Sequence, residues 1–193
     1  MSAAAAAGAL AGSSAVAQAA AAALGGSERV DQAWAVLDTV LDPEVPALSV
    51  RDLGIVREVI AAPESGELEI VLTPTYSGCP ATEVIEQNVL QALAQAGLGP
   101  ARVRLQRAPA WTSDWISDEG RRKLREYGIA PPGPTGPDAA VPLRFVGRRA
   151  VAPACPRCSS NDTERLSAFG STACKALYRC RACREPFEHF KPI

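Results

Sequence analysis

Residues 67–84 read Glu-Leu-Glu-Ile-Val-Leu-Thr-Pro-Thr-Tyr-Ser-Gly-Cys-Pro-Ala-Thr-Glu-Val, and the periodicity changes in the middle of the stretch. Glu67–Leu72 alternates polar and apolar residues as a half-buried strand does. From Pro80 to Ala96 the small and apolar residues Ala81, Ile85, Val89, Ala92, Leu93 and Ala96 fall on one side of a helix that ends at Gly97. Working outward, Gly54–Ile60 reads as a second strand, joined to the first by the turn Pro63-Glu-Ser-Gly66, so the two form an antiparallel hairpin. A third strand, Arg102–Gln106, follows Gly99-Pro100. Strand, helix and strand in that order need a crossover, which predicts an α/β domain with a small mixed sheet packed with helices.

Two helices flank this unit. Val30, Ala33, Trp34, Leu37, Val40 and Leu41 recur at three- and four-residue spacing, which predicts a helix stopped at Asp42-Pro43. Residues 117–127 predict a short polar helix with Ser117 as its cap. Ala130-Pro-Pro-Gly-Pro-Thr-Gly-Pro137 then continues neither a helix nor a central strand. The expected organisation is an alanine-rich disordered tail at 1–27, an α/β domain at 28–128, a Pro/Gly-rich linker at 129–150 and a cysteine-rich module at 151–193.

The chain of 193 residues, 47% hydrophobic and 21% charged, has the composition of a globular protein with a buried core. Its net charge of −1 conceals an asymmetry: residues 1–143 carry 17 acidic and 10 basic side chains, and residues 144–193 carry 4 and 10. A basic tail suits an acidic partner, whether nucleic acid, another protein or its own acidic domain. The first 26 residues hold 14 alanines but lack the basic start of a secretory signal and the arginines of a transit peptide. No run approaches the roughly 20 apolar residues of a membrane span. The expected location is therefore the cytoplasm.

Five of the six cysteines lie in the last 39 residues. Cys155-Pro-Arg-Cys158 and Cys180-Arg-Ala-Cys183 are separated by 21 residues, and a two-residue gap lets both thiolates of one turn face the same ion. Two disulfides or an iron–sulfur centre would use the same four thiols. Short paired knuckles with strand-like sequence between them favour a structural zinc ribbon, in which bound metal supplies much of the folding energy of a small module. Cys174 reads as a small buried side chain. His189, the only histidine, reads as a surface residue on a terminal strand.

Cys79 is the exception in the first domain. With Pro80 in the first helical turn, Cys79 is expected at the cap, beside unpaired amides and the positive end of the helix dipole, while Glu83 and Glu86 oppose thiolate formation. No histidine precedes position 189 to act as its base, which argues against nucleophilic cysteine catalysis. Binding of a soft metal requires only an accessible thiolate.

Asp42-Pro-Glu-Val-Pro46, Asp52-Leu-Gly54 and Thr73-Pro-Thr-Tyr-Ser-Gly-Cys-Pro80, in this order and spacing, resemble the MIP18 (DUF59) family of iron–sulfur assembly factors. Phe169–Tyr178 and Glu185-Pro-Phe187, inside the ribbon, are similar to the PaaD family, subunits of phenylacetyl-CoA epoxidase. The resemblance implies that Cys79 takes part in cluster handling, with a transient iron–sulfur cluster at its thiol. It also implies that Asp42, Glu44, Asp52 and Thr73 shape the loops around it, although turn and capping chemistry accounts for the two aspartates equally well. The implied role is that of an accessory, maturation protein of the multicomponent epoxidase of aerobic phenylacetate degradation. It would assist assembly of an iron–sulfur or di-iron centre in oxygenase or reductase subunits, with iron–sulfur carrier proteins as further partners, without itself turning over substrate. The rival expectation is a nucleic-acid- or protein-binding ribbon, in which Phe145, Phe169, Tyr178, Phe187 and Phe190 interleave with arginines.

Overall fold

The computed structural model describes residues 25–76, 78–135 and 152–193. The alanine tail up to residue 24 and most of the expected linker lie outside them.

Helix α1 runs over Gly26–Leu37, so it starts within the last two residues assigned to the tail and stops four residues short of the predicted end. The chain turns there because Asp38 and Thr39 close tight turns onto Trp34 and Val36. Val40 stays in the core, but Leu41 leaves the helix to form an isolated antiparallel bridge with Ser49.

Strands β1 (Val56–Ala61) and β2 (Leu68–Leu72) form the expected antiparallel hairpin. Helix α2 (Thr82–Gln95) makes the crossover to β3 (Ala101–Leu105), which lies parallel to β2. The order β1-β2-β3 puts β2 in the centre, and four of its five residues are buried. Helix α1 rests on β1 and α2, and α2 rests on β3. Ala33 and Leu37 of α1 meet Ile85, Val89 and Leu93 of α2 in one apolar cluster above Leu68, Ile70 and Leu72. Each buried leucine, isoleucine or valine among them contributes about 1.5–3 kcal/mol when taken from water.

A single 3-10 turn, Ser113–Trp115, leads to α3 (Asp118–Tyr127), which is capped as its sequence predicts: Ser117 Oγ accepts from the Gly120 amide at 2.9 Å. Gly128, at φ +91°, ends the helix in the left-handed conformation.

Strand β4 (Ile129–Ala130) begins the segment expected as linker, yet it belongs to the second sheet. That sheet has the order β4-β7-β6-β5, with β5 at Thr163–Ser167, β6 at Lys175–Cys180 and β7 at Pro186–Phe190. The three ribbon strands are antiparallel, while β4 joins β7 in parallel. Cys174 and Phe190 of the ribbon lie in the apolar cluster of the α/β unit. The Trp111 and Phe190 rings are 5.9 Å apart, and Trp111 Nε1 donates to the Leu53 carbonyl at 2.9 Å. The two units thus share a core. Among the described residues no helix is long and apolar enough to cross a membrane.

Candidate functional site

The four ribbon cysteines converge as their spacing predicts, with all four Sγ atoms within 4.8 Å of one another. Cys155 and Cys183 are 3.8 Å apart, and Cys158 and Cys180 are 3.5 Å apart. A disulfide would need about 2.05 Å. Tetrahedral ligation with a Zn–S bond of about 2.3 Å puts the sulfurs roughly 3.8 Å apart, so the cage fits an ion of that size. Both knuckles are tight turns. Ser159 N donates to Cys155 O, and Cys180 N to Glu185 O, with Ser159 and Arg184 at positive φ. The Cys183 amide points at Cys180 Sγ and holds that thiol down to about 7. The four thiols thus form a donor set that could hold one metal ion, with Cys155 and Cys180 buried and Cys158 and Cys183 exposed.

The loops of the α/β unit hold Asp42 and Asp52 in different ways. Asp42 Oδ1 accepts from the amides of Glu44 and Val45 at 2.9 and 2.8 Å, closing the turn over Pro43. Burial nevertheless pushes its carboxyl above the usual range. Asp52 ties its own loop to α3: it accepts from Ser49 N at 3.0 Å and Lys123 Nζ at 2.6 Å, and Ser117 Oγ lies 3.3 Å from Oδ1. Burial alone would raise its pKa. The Lys123 ammonium and the Ser49 amide outweigh burial and hold it below the ordinary value. Gly54, two residues on, sits at φ +65°, and a Cβ there would come within 2.5 Å of the Trp115 carbonyl oxygen. Thr73 is buried at the end of β2, and its hydroxyl has no hydrogen-bond partner among the described residues.

Cys79 is not the helix cap. The cap of α2 is Ala81, and Cys79 lies just before it in a turn of its own, its amide donating to Tyr76 O and its carbonyl accepting from Thr82 N, both at 3.2 Å. The turn uses these backbone groups locally, so the thiol is placed by loop geometry rather than at the first free amides of the helix. It is half-buried and faces a cavity also lined by Asp42, Glu44, Thr82, Cys174 and Phe190. The cavity has about 20 Å³ of room, enough for one water-sized occupant.

Cys174 enters this cavity from the ribbon. Its Sγ lies 3.0 Å from Thr172 Oγ1, and burial pushes its thiol pKa up, with the nearby Glu44 carboxylate adding to the effect. Burial likewise raises the pKa of Tyr76, with the nearby Glu44 carboxylate adding to the effect. One thiol from each unit and two carboxylates therefore surround the same space.

Residues 30–104 match the family described as iron-sulfur cluster assembly protein, and residues 140–191 match the PaaD zinc beta ribbon domain. An Escherichia coli (strain K12) protein, named as a candidate subunit of 1,2-phenylacetyl-CoA epoxidase, is 47% identical over 166 residues, which is 86% of this chain and 94% of the relative. The chain belongs to the PaaD family. Two solved structures are also similar. A DUF59 domain of unknown function from Bacillus anthracis is 26% identical with a TM-score of 0.47, over 51% of this chain and 92% of its own. A conserved hypothetical protein from Thermotoga maritima is 26% identical with a TM-score of 0.42, over 49% and 91%.

Two expectations for the PaaD-family ribbon change. His189 lies on β7, which β4 covers, so it is half-buried rather than on a bare terminal strand; it packs edge-on against Tyr178 at 5.5 Å. Burial pushes it down to about 4. Tyr178, Phe187 and Phe190 are core residues and Phe169 is exposed, while Phe145 lies outside the described residues. Arg179 and Arg181 pair with Glu164, and Lys175 with Glu188, which occupies part of the basic charge that suggests nucleic acid. Sequence reasoning does not place Cys174 in the Cys79 cavity. Its one signal is its position within Phe169–Tyr178, the stretch that carries the resemblance.

Proposed function

We propose that this chain is an accessory protein of a multicomponent phenylacetyl-CoA epoxidase in aerobic phenylacetate degradation. In this reading Cys79 handles iron, or an iron–sulfur unit, on its way to an iron–sulfur or di-iron centre in a partner subunit. The carrying observation is a half-buried, cavity-facing thiol within the region that matches iron–sulfur assembly proteins. Family membership supports the epoxidase as the recipient system, its oxygenase or reductase subunits as partners, and iron–sulfur carriers as donors. The ribbon cage holds zinc and stiffens the docking face, Asp42 and Glu44 line the cavity that the thiol faces, and Asp52 fixes its own loop to α3. The protein works in the cytoplasm and does not itself turn over substrate.

The test is co-expression of the oxygenase and reductase subunits with the wild-type chain or with Cys79→Ser, followed by measurement of iron content and epoxidation. Lower iron and lower activity with the variant are expected. Equal values in both would remove the role of Cys79.

A further inference from the structure

We propose that Cys79 of the α/β unit and Cys174 of the ribbon, together with the carboxylate of Glu44, form a site for a single iron(II) ion at the junction of the two units. The inference rests on the reading of Cys79 as a metal-handling thiol and adds the second thiol, the carboxylate and the nuclearity.

Both sulfurs and both Asp42 and Glu44 line one cavity. Two thiolates and a carboxylate form a mixed soft and hard donor set, which suits a first-row divalent ion and matches no need of an apolar core. Asp42 is the less available carboxylate because its Oδ1 already accepts two backbone amides. Glu44 is half-buried and lies close enough for its charge to act on Cys174 and Tyr76. The donor count points to one ion: two thiolates and one carboxylate are a ligand set for a single divalent metal, and the room of about 20 Å³ beside them holds one water-sized occupant.

The site is distinct from the ribbon cage and shares no ligand with it. Among the described residues only the ribbon cysteines already gather three or more donors within 4.8 Å. Cys79, Cys174 and Glu44 are not gathered that closely, so binding would require these three side chains to close on the ion. Cys174 is held at the start of β6, where its carbonyl accepts from Lys191 N at 2.9 Å and its thiol meets Thr172.

The test uses the full chain with zinc in the ribbon, titrated anaerobically with cobalt(II) as a spectroscopic probe for iron(II). Wild type is expected to bind one cobalt beyond the zinc, with thiolate-to-cobalt charge-transfer absorption. Cys79→Ser and Cys174→Ser are each expected to weaken binding at least about tenfold and to lower that absorption. Unchanged zinc content and near-ultraviolet circular dichroism report intact folding. X-ray absorption of the iron(II)-loaded wild type needs no variant and should give two sulfur neighbours beside oxygen. One sulfur neighbour, no binding in the wild type, or unchanged cobalt affinity in Cys174→Ser would each overturn the two-thiol site. Loss in Cys79→Ser with no change in Cys174→Ser would overturn it while leaving the proposed function of Cys79 in place.

Discussion

Trp111 and Phe190 meet with their rings tilted at 49° and their centroids 5.9 Å apart, one from the loop after β3 and the other from the last strand of the ribbon. Both are buried, and Phe190 belongs to the apolar cluster of the α/β unit rather than to that of the ribbon. Phe190→Ala should therefore destabilise the whole chain by about 3–5 kcal/mol, as expected for an aromatic removed from a shared core. Urea unfolding followed by tryptophan emission and by circular dichroism checks this. A loss below about 1 kcal/mol would mean that the ribbon does not depend on this contact.

The same contact couples metal to the first domain. Removing the ribbon metal with a chelator at neutral pH should melt β5 to β7 and lower the melting temperature of the α/β unit as well, because Cys174 and Phe190 leave its core. Tryptophan emission during chelation reads the change at Trp111. Emission that stays constant while zinc is stripped would contradict the coupling.

Asp52→Asn should cost about 1–3 kcal/mol at neutral pH, since Lys123 and the Ser49 amide lose a charged acceptor while Lys123 keeps part of its solvent. The folded pKa of Asp52 lies below its ordinary 3.8. Its contribution is then fully present above that value and is lost as pH falls through the lower, folded one. Denaturant midpoints of wild type and variant should keep a constant gap from neutral pH down to the unfolded pKa and converge below it. A gap that narrows already near neutrality would argue against this assignment.

His189 acts through a proton that the unfolded chain takes up. Folded, it is held near 4, against 6.5 when free, so between these values the unfolded chain binds the extra proton. Stability should fall as pH drops through that window, by at most about 1.4 kcal/mol per unit, with partial solvent contact lowering the figure. His189→Gln should flatten this slope. An identical pH profile in the variant would show that the imidazole is not the source.

The α/β core is legible because each of its elements has a local signal: the alternation of Glu67–Leu72, the three- and four-residue spacing of Ile85, Val89 and Leu93, and the cap at Ser117. The ribbon cage is legible because ligand spacing alone brings each knuckle's thiols to one side. What stays hidden depends on docking. Cys174 carries no pattern that points toward Cys79, β4 is two residues long and borrows its partner from the far end of the chain, and His189 is covered only because that partner arrives. The expected cap at Cys79 fails on a local detail, since Pro80 stands before the first helical turn rather than in it.

The parallel pairing of Ile129–Ala130 with Glu188–His189 also limits how the molecule can be dissected. A fragment cut anywhere between Ala130 and Cys155 keeps all four thiols but strips the cover from one margin of the ribbon sheet, leaving β7 with unpaired main-chain groups open to a second copy. Such an excised ribbon would tend to self-associate, and any dimer found that way would be a product of the cut rather than a property of the parent chain.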